Sequence, residues 1–418
     1  MKHFLLILFF LISLNSIAQK SIVSNIEFIG NKKIKSTFLT KIISTKKGDL
    51  FNKTIAKQDL ITLMRLPSIS EALFTTTPTD NGYVIRFKIK EKITTIPGAN
   101  FYTTNNDEFA YRLSFYEFNF LGKNITLGGF YQKDIFDSFG ANFRAPFLFN
   151  KKLGISFNYL NLTTQEPVFL DTTTLQYKYN NTGYEITSLY QFTIKHRTEL
   201  GFSLFNESYE YLEGDINGEV PLTFDVNKFQ IKLKYEYNNT KTKNHYVTGF
   251  KNISNIQQII SSNAILPNFI IGWNDFLYYK RIAQKGNFAT RIRLGLATND
   301  PSPFAPFAVD NNINIRGVGN IIDRGTGVVV TNIEYRHTVY EKGWFVLQSN
   351  VFLDAGSWRT PKGDFSDFVD RANFRIYPGA GLRFIHKKIY NAVFRIDYGY
   401  GLTDKATQGL VFGIGQYF

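Results

Sequence analysis

From residue 94 to the end of the chain, apolar and polar residues alternate strictly in one segment after another. In the segment 229–237, for example, Phe, Ile, Leu and Tyr alternate with Gln, Lys and Glu. The segments 288–296 and 392–400 repeat this pattern. Because successive side chains of a β-strand point to opposite faces, each segment predicts a strand with one apolar and one polar face.

The region 93–418 contains about sixteen such segments, which leaves roughly 20 residues for each strand and its connection. A soluble sandwich would also alternate, but its apolar faces would share a core and its polar faces would meet water. Here the apolar faces are rich in aromatic residues and the polar faces carry many charges. Closure of an even number of strands satisfies every strand edge within lipid. The sequence therefore predicts a mainly β protein with an antiparallel transmembrane β-barrel of about sixteen strands.

Residues 19–92 have a different periodicity, which predicts a small α/β domain in front of the barrel. A helix capped by Asn52 or Thr54 is expected to bury the apolar side chains of Ile55, Leu60, Leu63 and Leu66. A turn is expected at residues 78–82, between the last two strands. The predicted order is strand 22–29, helix 34–44, the capped helix, strand 69–75 and strand 83–89.

The first eighteen residues have the features of a cleavable signal peptide. Lys2 and His3 form a short basic start, residues 4–14 are almost entirely apolar, and Ser16 to Ala18 supply small residues for cleavage. The apolar run is too short to span a bilayer as a helix. We therefore expect export, with Gln19 as the mature N-terminus and residues 1–18 removed.

Composition excludes several kinds of function. The net charge of +14 could indicate nucleic acid, but export makes acidic lipid headgroups or an acidic partner the better interpretation. The chain has no cysteine, and its five histidines are scattered without metal-ligand spacing. It has no Gly-x-Ser-x-Gly motif and no phosphate loop. We predict no enzymatic activity, no catalytic residue, no metal, no cofactor and no nucleic-acid partner; a dispersed active site of a barrel phospholipase or protease is the alternative.

Three motifs in the last third of the chain are Ile315 to Val318, Phe352 to Gly356 and Phe412 to Phe418. Together they resemble the BamA/TamA family of outer-membrane insertases and translocases, which includes two-partner secretion transporters. Residues 19–92 resemble a single POTRA domain of that family, and residues 93–418 resemble its barrel. Further residues that carry the resemblance are Gly30-Asn31, Lys47-Gly48-Asp49 and Glu91 in the domain, and Asn119 to Gly122 and Arg144 to Phe147 in the barrel.

The resemblance implies that the long connection 299–325 folds back into the barrel and that Arg316 docks on Glu334 and Asp354. An arginine carries a fixed charge and five donors, so a buried one needs carboxylates. Alternation places both acids on polar faces, although a solvated loop arginine and ordinary luminal charges are the alternative. Val318 stands where the family usually has an aromatic residue. The expected docking set is Ile315, Arg316, Gly317, Val318, Glu334, Asp354 and Gly356.

The resemblance also implies a function, which is to insert polypeptides into the outer membrane or to export them across it. Its barrel opens laterally between the first strand, near 97–103, and the last, near 410–418. The expected partners are unfolded outer-membrane or exported polypeptides, membrane lipid and accessory periplasmic lipoproteins, with the POTRA domain in the periplasm. Phe412, Ile414, Gly415 and Phe418 resemble a C-terminal signal that assembly machinery recognises. The alternatives are a transporter dedicated to one partner and a passive diffusion pore.

Overall fold

The computed structural model describes residues 22–103, 109–169, 174–214, 221–261, 263, 266–299, 305–309, 314–318, 323–404 and 406–418. They form two compact units, which divide between Glu91 and Lys92. The expected signal peptide lies outside the described residues. Within the ranges above, no helix is long and apolar enough to cross a membrane.

The first unit is a three-stranded sheet with two helices. Its elements are β1 (Val23–Ile29), α1 (Ser36–Ile42), α2 (Lys53–Met64), β2 (Ile69–Thr79) and β3 (Gly82–Glu91). The sheet order is β1-β3-β2, with β1 parallel and β2 antiparallel to β3. The core is made of aliphatic and aromatic side chains, among them Ile34, Phe38, Leu39, Leu63, Ile85 and Phe87. This confirms the predicted order of elements.

Two carboxylates hold the turns of this unit in place. The Glu91 carboxylate accepts hydrogen bonds from the backbone N–H groups of residues 32–34, at 2.8–3.0 Å. The buried Asp59 on α2 accepts from the backbone N–H groups of Ser44 and Thr45, at 2.6 and 2.9 Å. Buried backbone donors need partners, so these two acids explain how the chain can leave β1 and α1 in tight turns.

Three details of this unit differ from the predictions. The α1 helix begins only at Ser36, and Ile55 on α2 is 37% exposed and not in the core. The Asn52 side chain does cap α2, accepting from the N–H groups of residues 54 and 55. Pro78 belongs to β2 and not to the turn. Proline is tolerated there because β2 is an edge strand and its outer side needs no ladder donor.

The second unit is an antiparallel barrel, closed where β22 lies beside β4. Among the described residues it has sixteen long strands and the three-residue strand β12, which confirms the predicted number. The strands are β4 (Thr95–Thr103), β5 (Phe109–Phe120), β6 (Ile125–Lys133), β7 (Asp137–Ala145), β8 (Leu153–Phe169), β9 (Thr174–Gln191), β10 (His196–Glu213), β11 (Thr223–Asn238), β12 (Lys241–Lys243), β13 (Tyr246–Ser261), β14 (Phe269–Ile282), β15 (Gly286–Ala297), β18 (Gly327–Lys342), β19 (Phe345–Arg359), β20 (Phe374–His386), β21 (Val393–Tyr400) and β22 (Gln408–Ile414).

The two faces of the strands differ as the alternation predicts. On β19, Gln348, Asn350 and Asp354 are buried in the barrel interior, the lumen, whereas Val351 and Leu353 are about half-exposed on the outside. The exposed outer face of the other strands is likewise aliphatic and aromatic, with Phe115, Phe157, Ile256, Phe394 and Leu410 as examples. An apolar exterior around a polar interior suits a barrel in lipid.

The longest connection of the barrel runs from β15 to β18. It contains the short hairpin of β16 (Phe307–Val309) and β17 (Asp323–Gly325). The connection from β19 to β20 contains two short 3-10 helices, Phe365–Val369 and Arg371–Asn373. Both connections are at the end of the barrel opposite the start of β4.

Candidate functional site: a buried arginine cluster in the lumen

The connection between β15 and β18 places Arg316 deep inside the barrel. Its side chain has an exposed fraction of 0%, as have those of Glu334 on β18 and Asp354 on β19. Its neighbours Ile315 and Val318 pack in an apolar cluster with side chains from the luminal face of the barrel, which include Val328, Val330, Trp358 and Tyr377. Val318 therefore serves as an apolar anchor of the connection.

The Arg316 guanidinium binds both predicted acids. Its Nε and Nη2 donate to the two carboxylate oxygens of Asp354 at 2.8 and 3.0 Å, and its Nη1 donates to Glu334 Oε2 at 2.6 Å. The backbone N–H of Arg316 also donates to Asp354, at 3.0 Å. Such two-pronged, charge-assisted pairs are stronger than neutral hydrogen bonds, and their paired geometry makes them specific. They hold this part of the connection against two neighbouring strands.

The spacing of Phe352, Asp354 and Gly356 now has a physical explanation. Residues i, i+2 and i+4 of a strand share a face, and all three point at the connection. The Phe352 ring lies 3.6 Å from Arg316 Cζ, and Asp354 supplies the carboxylate. A Cβ on Gly356 would come within 2.7 Å of Ile315 Cδ1. One face of β19 thus provides an aromatic ring and a carboxylate for Arg316, and at Gly356 the space that Ile315 occupies.

Gly317 is needed for two reasons. Its φ of +97° is in the left-handed region, and a Cβ at this position would approach the Cα and O atoms of Gly399 within 2.8 Å. A backbone in this conformation favours glycine. The Thr407 hydroxyl oxygen lies 2.6 Å from the carbonyl oxygen of Val318 and 3.1 Å from that of Gly317, so its one hydrogen can be donated to either. The connection is therefore attached to the β21–β22 side of the barrel as well.

Further charges surround the three predicted residues. Glu334 also pairs with Arg336 and with Arg383, the latter at 2.5 Å. Asp397 lies 3.7 Å from Arg316 Nη1 and pairs with Arg395 at 3.0 Å. The alternation places these residues on luminal faces, but it does not show that strands as distant in sequence as β18 and β21 bring them together. We call the four arginines and three acids the arginine cluster: Arg316, Arg336, Arg383, Arg395, Glu334, Asp354 and Asp397.

The last residues of the chain cover the arginine cluster. The β22 strand ends at Ile414, and Gly415, with a φ of +92°, turns the chain inward. The prediction that Phe418 ends this strand is therefore wrong. The Tyr417 ring lies 4.4 Å from Arg316 Cζ, and the Phe418 ring lies 5.6 Å from Arg336 Cζ. Cations over aromatic faces are attractive, which favours the inward path over a longer strand.

The four residues predicted as a C-terminal signal thus separate. Phe412 is on the lipid-facing side of β22 and 40% exposed. Ile414 is the last residue of the strand, Gly415 makes the turn, and Phe418 lies among the luminal arginines. They do not present one continuous surface.

A second ion-pair network lines the opposite wall of the lumen. Arg144 and Arg197 pair with Glu199 at 2.7 and 3.3 Å, and Arg197 and Lys251 pair with Glu236 at 3.0 and 3.4 Å. We call these five residues the wall network. Their side chains keep between 10 and 31% of their surface exposed. A cavity of about 660 Å³ is lined by Arg144 of this network and, among others, by Asn142, Asn158, Gln230 and Lys232.

The histidines have separate surroundings. His196 contacts Tyr235, His245 contacts Thr338, and His386 stacks on Trp344. Over the part of the chain that the structure describes, no three His, Asp or Glu side chains are grouped so that they could hold a metal ion.

The first unit offers an open strand edge. In the sheet order β1-β3-β2, the outer side of β1 is partly covered, because Val23 exchanges backbone hydrogen bonds with residues 48 and 49. Among the described residues, no strand pairs with the outer edge of β2, and the Leu73 side chain on this strand is 51% exposed. An exposed edge can accept another strand by backbone hydrogen bonding.

Comparison with known proteins agrees with this geometry. Residues 21–92 match the POTRA family model, described as surface antigen variable number repeat. A comparison with curated protein sequences finds no match. The structure resembles BamA from Haemophilus ducreyi lacking POTRA domains 1–3, with a TM-score of 0.56 and 16% identity over 94% of this chain and 84% of that one.

The structure also resembles CdiB from Acinetobacter baumannii, with a TM-score of 0.61 and 14% identity, and CdiB from Escherichia coli, with a TM-score of 0.64 and 11% identity. These likenesses cover 94% of this chain and 73% and 76% of the two CdiB chains. At such identities the likeness concerns the fold. The resemblance inferred from the sequence is confirmed at that level: a POTRA domain precedes a barrel with the fold of BamA and CdiB.

Proposed function

We propose that this protein moves polypeptides into or across the outer membrane without covalent chemistry. The seam between β22 and β4 is the observation that carries the proposal. These strands touch along less of their length than any other neighbouring pair of long strands in the described barrel, whereas β21 and β22 share a ladder of seven residue pairs. A weak seam can open to expose two strand edges, and such edges can template an incoming strand.

The POTRA domain supports the same function. Its open β2 edge offers an unfolded polypeptide the backbone groups that a strand needs, before that polypeptide reaches the barrel. A passive diffusion pore has no use for such a domain. The partners are therefore unfolded outer-membrane or exported polypeptides, with accessory periplasmic lipoproteins as further candidates.

The arginine cluster has a structural part in this proposal. Through Arg316, Glu334 and Asp354 it holds the long connection in the lumen beside the strands that form one side of the seam. The connection then braces β18, β19 and β21 while β4 moves away. The cluster performs no chemistry and holds no cofactor in this scheme.

The proposed location is the outer membrane, with the POTRA domain in the periplasm. The apolar outer face of the barrel and the expected signal peptide support it. Cell fractionation tests it: we expect a mature N-terminus at Gln19 and a barrel that migrates differently on a gel before and after heating. Recovery in the soluble periplasm without that shift would contradict the location.

Depletion in the native host, followed by proteomics of the outer membrane and of the secreted fraction, tests the function. Loss of several barrel proteins from the outer membrane would support an insertase. Loss of one secreted protein would support a dedicated transporter, which is the alternative. Unchanged proteomes after complete depletion would contradict both.

A further inference from the structure

The chain that enters the barrel is bound to a distant turn. The Ile93 N–H donates to the carbonyl oxygen of Lys388 at 2.9 Å, and the Tyr390 N–H donates to the carbonyl oxygen of Ile93 at 2.9 Å. Ile93 and Ile389 form a parallel β-bridge. Residues 388–390 belong to the turn between β20 and β21, so this bridge joins chain segments about three hundred residues apart.

The bridge spans the seam. In the barrel order β20-β21-β22-β4, the β20–β21 turn and the start of β4 are on opposite sides of β22. The end of β22 is attached to the turn's side, because the Gly415 N–H donates to the Val393 carbonyl oxygen at 2.8 Å. Ile93 therefore reaches past the end of β22 and ties the start of β4 to the β20–β21 turn.

The two residues that follow Ile93 are hydrogen-bonded to β5. The Glu117 carboxylate accepts from the hydroxyl groups of Thr94 and Thr95, at 2.6 and 2.5 Å. The Phe118 N–H donates to the Thr94 carbonyl oxygen at 3.0 Å, and the Phe118 ring meets the Tyr390 ring edge-on at 4.9 Å. Backbone and aromatic contacts thus cross the seam together.

We propose that residues 92–95 form a seam clamp, which keeps β4 and β22 together at the end where β4 begins and which the POTRA domain can release. Only Lys92 separates Ile93 from Glu91, the last residue of β3, and the Glu91 carboxylate is bound within its own domain. A pull on the POTRA domain by a captured polypeptide therefore reaches Ile93 with almost no slack. The clamp rests on the proposed function and adds the step that couples capture to opening.

Spin labels on the two sides of the seam test the clamp without measuring activity. The chain has no cysteine, so Phe101→Cys on β4 and Leu410→Cys on β22, both exposed in the wild type, give one labelled pair. In the full-length protein in lipid nanodiscs, Ile93→Pro removes the N–H that binds Lys388, and Tyr390→Ala removes the ring. Each should add a population at longer distance. Ile93→Ala and Tyr390→Phe are the matched controls and should keep the wild-type distribution.

Folded protein is selected in every case by its heat-dependent migration, so a variant that fails to fold does not enter the comparison. Wild-type distances in both Ile93→Pro and Tyr390→Ala would overturn the clamp. A shift in Ile93→Ala and Tyr390→Phe equal to that of their partners would also overturn it, because the loss would then not be specific to the bridging groups.

A reversible disulfide across the clamp tests whether opening the clamp is needed for the proposed function. Neighbouring strands are about 4.8 Å apart, within the Cα range of a disulfide, so Ile93→Cys with Ile389→Cys should close the clamp covalently. We expect proteoliposomes of the oxidised variant to insert a urea-unfolded small barrel protein at least tenfold more slowly, with recovery after reduction. Equal rates in both states would overturn the clamp. If the spin-label distances shift as expected but no form inserts the test protein, the insertase form of the proposed function fails and the clamp stands.

Discussion

The two ion-pair networks of the lumen use the same chemistry in different surroundings. In the arginine cluster, Arg316, Glu334 and Asp354 have exposed fractions of 0%. In the wall network, Arg144 and Arg197 keep 27 and 31% of their side-chain surface exposed. A buried charge that loses its partner cannot be compensated by water, whereas a partly hydrated one can. The cluster can therefore fix one geometry of the connection, and the wall network can tolerate rearrangement beside the cavity.

The largest effect is expected from Arg316→Ala. Removing one member of a fully buried pair costs about 3–5 kcal/mol, which here falls on the docked connection. Proteolysis and hydrogen exchange of residues 314–318 should become much faster, and the rate at which the protein inserts or exports polypeptides should fall. The barrel should still fold, because its strand ladders do not depend on Arg316.

Asp354→Ala provides the matching half of a double-mutant cycle. It should produce a similar defect, and the double variant should be little worse than either single one, because residues in direct contact are not additive. Strictly additive defects would contradict a shared ion pair and would leave Arg316 as an independent loop residue.

Gly317→Ala should have the next largest effect. The substitution forces an alanine into a φ of +97° and brings its Cβ within 2.8 Å of Gly399, at a cost of about 1–3 kcal/mol for the strained backbone alone. The matched control is Gly343→Ala in the β18–β19 turn, where φ is +57° and no atom lies within 4 Å of the added Cβ. Proteolysis of the connection should accelerate only in Gly317→Ala. Equal acceleration in both variants would show that the contact with Gly399 is unimportant.

Tyr417 and Phe418, which turn into the lumen, should each contribute less to the stability of the docked connection. A desolvated cation over an aromatic ring contributes about 0.5–2 kcal/mol, so Tyr417→Leu should loosen the connection moderately and Tyr417→Phe should not. Deleting Tyr417 and Phe418 removes both rings and the expected assembly signal, and should sharply reduce heat-modifiable barrel in the membrane. Normal amounts of folded barrel after the deletion would contradict the signal.

The smallest effect is expected in the wall network. Glu199→Gln weakens the pairs with Arg144 and Arg197, whose side chains keep 27 and 31% of their surface exposed, so water can replace part of the lost interaction. The change in Tm should be small and should shrink further at high salt. Glu334→Gln is the contrasting variant in the arginine cluster, and its larger change should persist at high salt because burial limits screening. Equal changes in the two variants would remove the distinction between the networks.

Much of the molecule follows from local patterns in the sequence. Alternation with a period of two determines which side chains face lipid and which face the lumen, and it correctly placed Asp354 with Gln348 and Asn350. The capping side chain of Asn52 likewise acts within three residues. Such features depend on the backbone geometry of a few neighbouring residues, so they can be derived before the fold is known.

The pairing of Arg316 with Glu334 and Asp354 was expected from motifs, whereas the rest of the cluster was not. Alternation assigns Arg383, Arg395 and Asp397 to a face, but their position around the barrel depends on strand register and on the path of the connection. Pro78 is a second example, because a proline fits within β2 only where that strand lies at the edge of its sheet, and the sheet order is a tertiary feature.

The sequence alone therefore determined the strands, their faces and the local caps, because each depends on residues a few positions apart. Only the tertiary structure decided that Gly415 turns the last residues into the lumen and that Ile93 bridges to the β20–β21 turn. Both features bring together parts of the chain that are far apart in sequence and meet only in the folded barrel. A period of two carries no information about closure, since every strand would alternate in the same way whichever strand lay beside it.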